Sequence, residues 1–80
     1  MTPAQERVIR FIVKYWAAHH RSPTYKEVGR GINHAPSVVY YHVKRCAEYV
    51  TEELQPTPLA IHYFEEKRRI LEKSYERQRS

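Results

Sequence analysis

The chain has little of what disulfide bonds, membrane spans or secretion require. Its 80 residues include a single cysteine, Cys46, so an internal disulfide is impossible. No apolar run approaches the roughly 20 residues of a bilayer-spanning helix. The N-terminus also lacks the apolar segment of a secretory signal. We therefore expect a cytoplasmic protein that does not bind membranes.

Catalytic and metal-binding patterns are missing as well. The sequence has no glycine-rich phosphate loop, and no serine or cysteine stands near a base in a recognisable catalytic pattern. Its five histidines lack metal-ligand spacing, and Cys46 has no CxxC partner. His42 and Cys46 are four residues apart, but two ligands do not make a site. We expect no enzymatic activity, no cofactor and no metal.

The chain is rich in positive charge. Fourteen Lys and Arg residues oppose nine acidic residues, which gives a net charge of +5 and an isoelectric point near 9.6. This balance is typical of nucleic-acid-binding proteins, although anionic membranes and acidic proteins attract the same charge. A chain of this length forms one small domain, too small for a large internal active-site cavity.

Residues 22–46 show the spacing of a helix-turn-helix unit. Gly29, Asn33 and Val39 stand where such a unit needs a small residue, a turn residue and an apolar residue. Gly29 would destabilise a helix unless a neighbouring helix packs closely against it. Two apolar stripes flank the turn: Val28 and Ile32, then Val39, Val43, Cys46 and Val50. The second helix of such a unit can lie in a DNA major groove, but helical hairpins of other function carry the same stripes.

Capping patterns locate the helices. A hydroxyl residue followed three positions later by Gln or Glu marks helix starts at Thr2 and Thr24. A proline at position 36 fits the first turn of a third helix. The predicted helices cover residues 3–19, residues 25–32 and about residues 36–49.

The segment after the third helix predicts a β-hairpin. Tyr49–Thr51 and Leu59–Phe64 are β-branched and aromatic, and a proline-containing stretch separates them. Three helices followed by a two-stranded hairpin form a winged helix-turn-helix, a mainly α fold with a small β-hairpin. We therefore expect a winged domain over residues 1–64 and a charged C-terminal helix or tail over residues 65–80. Periodicity leaves open the alternative of one long helix over residues 59–79.

Four segments resemble the DNA-binding domain of LexA-type repressors. They are Val8–Ile12, Ser22–Thr24 leading to Glu27-Val28, Ser37–Val43 and Pro58–Ile61. Their order and spacing are specific across residues 3–64. The tail has no counterpart in the family. The family's self-cleaving serine–lysine protease domain is absent from this sequence, so the resemblance implies no autoproteolysis.

The resemblance implies that the third helix binds double-stranded DNA sequence-specifically. Ser37, Val38, Tyr40 and Tyr41 match the family's base-reading face, and Lys44 and Arg45 match its phosphate-facing end. His42 matches a histidine that supports the fold. The positive charge concentrated in residues 26–45 adds Lys26 and Arg30 as phosphate candidates.

We expect a stand-alone transcriptional regulator, a repressor of the kind typical of phages or mobile elements, acting as a homodimer. LexA relatives dimerise mostly through the missing domain, so the tail is the available replacement. It aligns Phe64, Leu71 and Tyr75 on one side of a helix. Three alternatives stay open: the tail presents Lys67, Arg68 and Arg69 to DNA, it packs back on the domain, or it is a solvated helix that frays.

Two features point to a different class of function. The expected wing carries Glu52 and Glu53 and no basic residue, an unfavourable charge near phosphate. The exposed positions Val38, Tyr40 and Tyr41 are also what a protein-binding surface contains. The alternative is therefore an interaction module that binds a host protein or another copy of itself.

Overall fold

Four helices follow one another along residues 1–67, the part of the chain that the computed structural model describes. They are α1, Pro3–His19; α2, Tyr25–Ile32; α3, Pro36–Arg45; and α4, described over residues 58–67. The helix-turn-helix unit is formed by α2 and α3, and α1 packs against both. Within residues 1–67, no helix combines the length and apolar character that crossing a bilayer requires.

The predicted capping boxes start α1 and α2. The Gln5 N–H donates to the Thr2 hydroxyl at 3.2 Å, and the Thr2 N–H donates back to the Gln5 side chain at 3.0 Å. The same reciprocal pair joins Thr24 and Glu27. Asn33 ends α2 in the left-handed conformation, with φ of 60°. The predicted bounds of both helices are confirmed.

Burial follows the apolar stripes of the sequence. α1 contributes three side chains to the core, and the other helices and the α3–α4 connection supply the rest. The buried residues are Val8, Ile9, Ile12, Val28, Val39, Val43, Cys46, Val50, Leu54 and Ala60. Burial raises the pKa of the Cys46 thiol, so this side chain behaves as a small apolar group.

The third helix is shorter than expected. α3 ends at Arg45, where the Cys46 N–H donates to the carbonyl of Val43 instead of the residue four back. Turns cover residues 46–49, although Cys46 and Val50 are still buried. The apolar stripe therefore predicts burial correctly but not the end of the helix.

The predicted two-stranded wing is wrong. Within residues 1–67, antiparallel pairing is limited to one isolated bridge between Val50 and Pro56. Residues 59–64, predicted as the second strand, lie in α4. The fold class is therefore a helical domain with a short connecting loop, not a winged helix-turn-helix.

Local capping explains why α4 is a helix. The Thr57 hydroxyl accepts a hydrogen bond from the Ala60 N–H at 3.4 Å, and the Ile61 N–H donates to the Thr57 carbonyl at 3.1 Å. Pro58 then occupies the first helical position, where its missing N–H costs nothing. The alternative of a long helix over residues 59–79 agrees with the structure through residue 67. Residues 68–79 lie outside the described part, and the division at residue 64 stays a prediction.

Candidate nucleic-acid interface

The outer face of α3 carries the residues predicted to contact DNA. Val39 and Val43 point into the core, so the opposite side of the helix faces solvent. Tyr40 and Tyr41 are 43% and 53% exposed, and Val38 is 37% exposed. We call this surface the α3 face; its exposed members are Ser37, Val38, Tyr40, Tyr41, Lys44 and Arg45.

Two cation–tyrosine pairs lie next to each other on the α3 face. The Lys44 ammonium stands 5.1 Å from the centre of the Tyr40 ring. The Arg45 guanidinium stands 4.7 Å from the centre of the Tyr41 ring. Such contacts hold long side chains near the helix surface, while their N–H groups stay available to an anion.

α3 begins without the acidic side chains found in the first turns of α1 and α2. Its N-cap residue, Ala35, makes no side-chain hydrogen bond, and its first turn has no carboxylate. By contrast, Glu6 and Glu27 stand in the first turns of α1 and α2. The positive end of the α3 dipole is therefore not compensated by charge within the helix.

Tyr25 joins the start of α2 to the α3 face. Its ring lies 5.7 Å from that of Tyr40, and its hydroxyl donates a 2.6 Å hydrogen bond to the backbone carbonyl of Glu52. Burial raises the pKa of the Tyr25 hydroxyl. The loop that carries Glu52 and Glu53 therefore borders the α3 face, and its charge disfavours phosphate on that side.

The predicted α2 cations differ in their distance from this surface. Lys26 follows Tyr25, so it lies at the end of α2 that contacts α3 through the ring pair. Arg30 is one turn further along, in the last turn of α2. Both are exposed, and neither forms an ion pair with any residue in the described range 1–67. Lys26 is the better placed of the two for a ligand on the α3 face.

The Lys67 ammonium is bound to a carboxylate of the same domain. Its ammonium hydrogen-bonds to the Glu6 carboxylate, which also pairs with Arg10 at 2.7 Å. The bond to Lys67 lowers the pKa of Glu6, and the same bond raises the pKa of Lys67. Lys67 thus ties α4 to α1. Arg68 and Arg69, and the predicted tail pairing through Leu71 and Tyr75, lie outside the described residues.

His42 lies in a different environment from its neighbours on α3. Its Nδ1 atom is buried and has no hydrogen-bond partner within residues 1–67. The ring of Tyr41 packs edge-on against the imidazole, with centroids 5.7 Å apart. No group of three or more His, Cys, Asp or Glu side chains within the described residues could hold a metal ion. The imidazole therefore acts in packing behind the α3 face.

A second charged surface was not singled out from the sequence. A shallow groove of about 400 Å³ lies between α1 and the end of α2. Its lining, which we call the basic groove, consists of Arg7, Arg10, Phe11, Lys14, Gly31, Ile32 and Asn33. The spacing of Arg7, Arg10 and Lys14 by three and four residues puts them on one helix face, a signal that the sequence does contain.

Comparison with known proteins finds no match to this chain among family models, curated proteins or solved structures. The resemblance to LexA-type DNA-binding domains therefore rests on the quoted segments alone. The α3 face and the charges around it are the features of this chain that indicate a function.

Proposed function

We propose that this protein is a transcriptional regulator that binds double-stranded DNA sequence-specifically, with α3 in the major groove. The observation that carries the proposal is the α3 face itself. Two cation–tyrosine pairs, Lys44 with Tyr40 and Arg45 with Tyr41, lie side by side on a helix without any acidic residue. A helix of this kind fits the width of the major groove and can neutralise phosphate at its edges.

Each part of the α3 face has a role in this proposal. Ser37 and Val38, at the start of α3, face base edges, and Val38 suits contact with a thymine methyl group. The hydroxyls of Tyr40 and Tyr41 donate to a base edge or a phosphate oxygen. Lys44 and Arg45 contact phosphate at the other end of the helix, and Lys26 contacts the backbone from the start of α2.

The missing wing changes the expected contact area. A basic wing normally adds phosphate contacts beside the reading helix, whereas this loop is short and carries Glu52 and Glu53. The α2–α3 unit must then supply most of the binding energy. A single copy with so few phosphate contacts binds weakly, so we propose that it acts as a homodimer or a larger assembly on DNA.

The regulatory outcome in this proposal is repression. A small DNA-binding domain acts most simply by occupying a promoter. The resemblance to LexA-type repressors favours the same role.

One observation favours a protein-interaction module as a second candidate. Tyr40, Tyr41 and Val38 expose apolar and aromatic surface at the centre of the α3 face, and the loop that carries Glu52 borders this face on one side. Aromatic side chains at the centre and polar groups at the edge are features of protein interfaces. Under this alternative, a host protein or another copy of this chain packs on the same tyrosines.

Selection of bound sequences from random duplexes with the purified full-length protein tests the proposal. We expect enrichment of a preferred site, and we expect affinity for it to fall steeply as salt increases. Recovery of duplexes without any shared sequence would show that the protein binds DNA non-specifically. Failure to retain duplex DNA even at low salt would contradict DNA binding and leave the interaction module as the better account.

A further inference from the structure

The basic groove carries positive charge that the described part of the molecule does not neutralise. Arg7 and Lys14 form no ion pair within residues 1–67, and no carboxylate lines the groove. Arg10, the third cation of the groove, forms an ion pair with Glu6. The floor between these cations is apolar, because Phe11 and Ile32 contribute to it. An occupant must therefore bring negative charge.

The acidic counterpart is found in the same chain. Residues 1–45 hold eight Lys or Arg and two Glu, a net charge of +6, whereas residues 46–66 hold five Glu and neither Lys nor Arg. Three of these carboxylates are exposed on the loop after α3, and none forms an ion pair within residues 1–67. We call this segment, residues 48–53, the acidic turn; its carboxylates are Glu48, Glu52 and Glu53.

The acidic turn is held in place by its own backbone. The Thr51 N–H donates to the Gln55 carbonyl at 3.0 Å, and the Leu54 N–H donates to the Thr51 carbonyl at 2.9 Å. Leu54 takes a left-handed conformation, with φ of 62°, and buries its side chain in the core. A fixed turn loses little conformational freedom when it binds, which favours its use as a docking element.

The two charged surfaces form no ion pair with each other within residues 1–67. The acidic turn contacts the start of α2 through the hydrogen bond from Tyr25 to Glu52. The basic groove lies at the other end of α2, at Ile32. At 1.5 Å per residue, these ends are about 10 Å apart, and α2 lies between them. Within residues 1–67, Arg7 and Lys14 of the groove and the three carboxylates of the turn therefore have no ion-pair partner, and they can meet their complement on another molecule.

We propose that the basic groove of one copy binds the acidic turn of a second copy, so that the chains associate head to tail. Because the two surfaces differ, the contact leaves one groove and one turn unoccupied at the ends, and further copies can add. The contact is small, so its dissociation constant should lie on the order of 0.1–1 mM. This proposal does not depend on DNA binding, and DNA-free association tests it.

Charge-reversed full-length variants give the test. R7E/K14E reverses the groove and E52K/E53K reverses the turn, and all four side chains are exposed. Sedimentation of the wild type at up to about 1 mM protein should show association at about 0.1 M salt and its loss at about 1 M. Each variant alone should associate at least about tenfold more weakly, because like charges then meet. An equimolar mixture of the two should regain association, since each reversed surface finds its complement.

R30E is the control, because it reverses an exposed α2 cation that neither lines the groove nor lies beside Tyr25, which contacts the acidic turn. It should associate as the wild type does, and all variants should keep the helical circular dichroism of the wild type. A monomeric wild type at low salt, unchanged association of R7E/K14E, or a mixture that fails to regain association would each overturn the proposal. If the wild type is monomeric and R7E/K14E weakens duplex binding, DNA occupies the groove instead.

Discussion

Gly29 of α2 lies against the backbone of the turn that follows it. A β-carbon on Gly29 would stand 2.5 Å from the carbonyl oxygen of His34, closer than such atoms can approach. The His34 N–H also donates a 2.8 Å hydrogen bond to the Gly29 carbonyl. The turn between α2 and α3 therefore folds back onto this glycine, and the angle between the two helices depends on it.

Gly29→Ala should destabilise the protein by about 1–3 kcal/mol, the cost of inserting a methyl group against a backbone that cannot move aside. Urea unfolding followed by circular dichroism measures this loss. Arg30→Ala, on the exposed side of the same helix, is the control and should stay within about 0.5 kcal/mol of the wild type. Equal stability of the two variants would show that the turn does not approach Gly29 this closely.

Gly31 is required for a different reason, because a β-carbon there would stand 2.1 Å from a ring carbon of Phe11. Gly31→Ala should be destabilising in the wild type and much less so in a Phe11→Leu background, which removes the obstructing ring atoms. A double-mutant cycle by urea unfolding should give a coupling of about 0.5–3 kcal/mol. Additive effects of the two changes would mean that Phe11 does not cover Gly31.

The sequence predicted some of these features and not others. Gly29 was expected to need a close neighbour, but the neighbour is the turn rather than a helix. Nothing in the sequence singles out Gly31, because its contact with Phe11 joins residues far apart along the chain. The boundaries of α1 and α2 were predictable, since they depend on local hydrogen bonds of Thr2 and Thr24 with residues three positions away.

The error at α4 has a physical reason. Leu59–Phe64 is apolar and partly β-branched, a composition that suits both strand and helix. Thr57-Pro58 repeats the hydroxyl–proline start of Thr2-Pro3, and this local signal favours the helix. The exposure of the α3 face was predictable, because the apolar Val39–Val43 stripe leaves the opposite side of the helix to solvent. The approach of Glu52 to Tyr25 depends on tertiary packing, which no local pattern reveals.

Acid should destabilise the protein partly through Glu27. The Tyr15 hydroxyl donates a 2.6 Å hydrogen bond to its carboxylate, and with the Thr24 backbone N–H it lowers the Glu27 pKa from the ordinary value of 4.5. Because the pKa is lower in the folded state, the stabilisation is present above the unfolded-state pKa. It is lost as pH falls through the folded-state value. Tyr15→Phe should therefore reduce the difference in unfolding free energy between neutral and acidic pH. If Tyr15→Phe leaves this difference in unfolding free energy unchanged, the hydrogen bond does not stabilise the Glu27 carboxylate.

Tyr41 should contribute to the choice of DNA sequence. Its side chain is the most exposed of the large hydrophobic residues on α3, and it lies off the buried stripe. Tyr41→Ala should weaken binding to a preferred duplex by about 1–3 kcal/mol and weaken binding to random duplex much less. Fluorescence anisotropy with both duplexes gives the two losses. Equal losses would assign Tyr41 to general backbone contact rather than to sequence recognition.

Lys44 and Arg45 should determine part of the salt dependence. If each neutralises one phosphate, Lys44→Ala or Arg45→Ala should weaken binding to every duplex and reduce the slope of log affinity against log salt by about one. Arg7→Ala removes the same charge from the basic groove. The lining of that groove shares no residue with the α3 face. Arg7→Ala should therefore change the slope much less, and a loss equal to that of Arg45→Ala would mean that the salt dependence reports net charge rather than contacts of the α3 face.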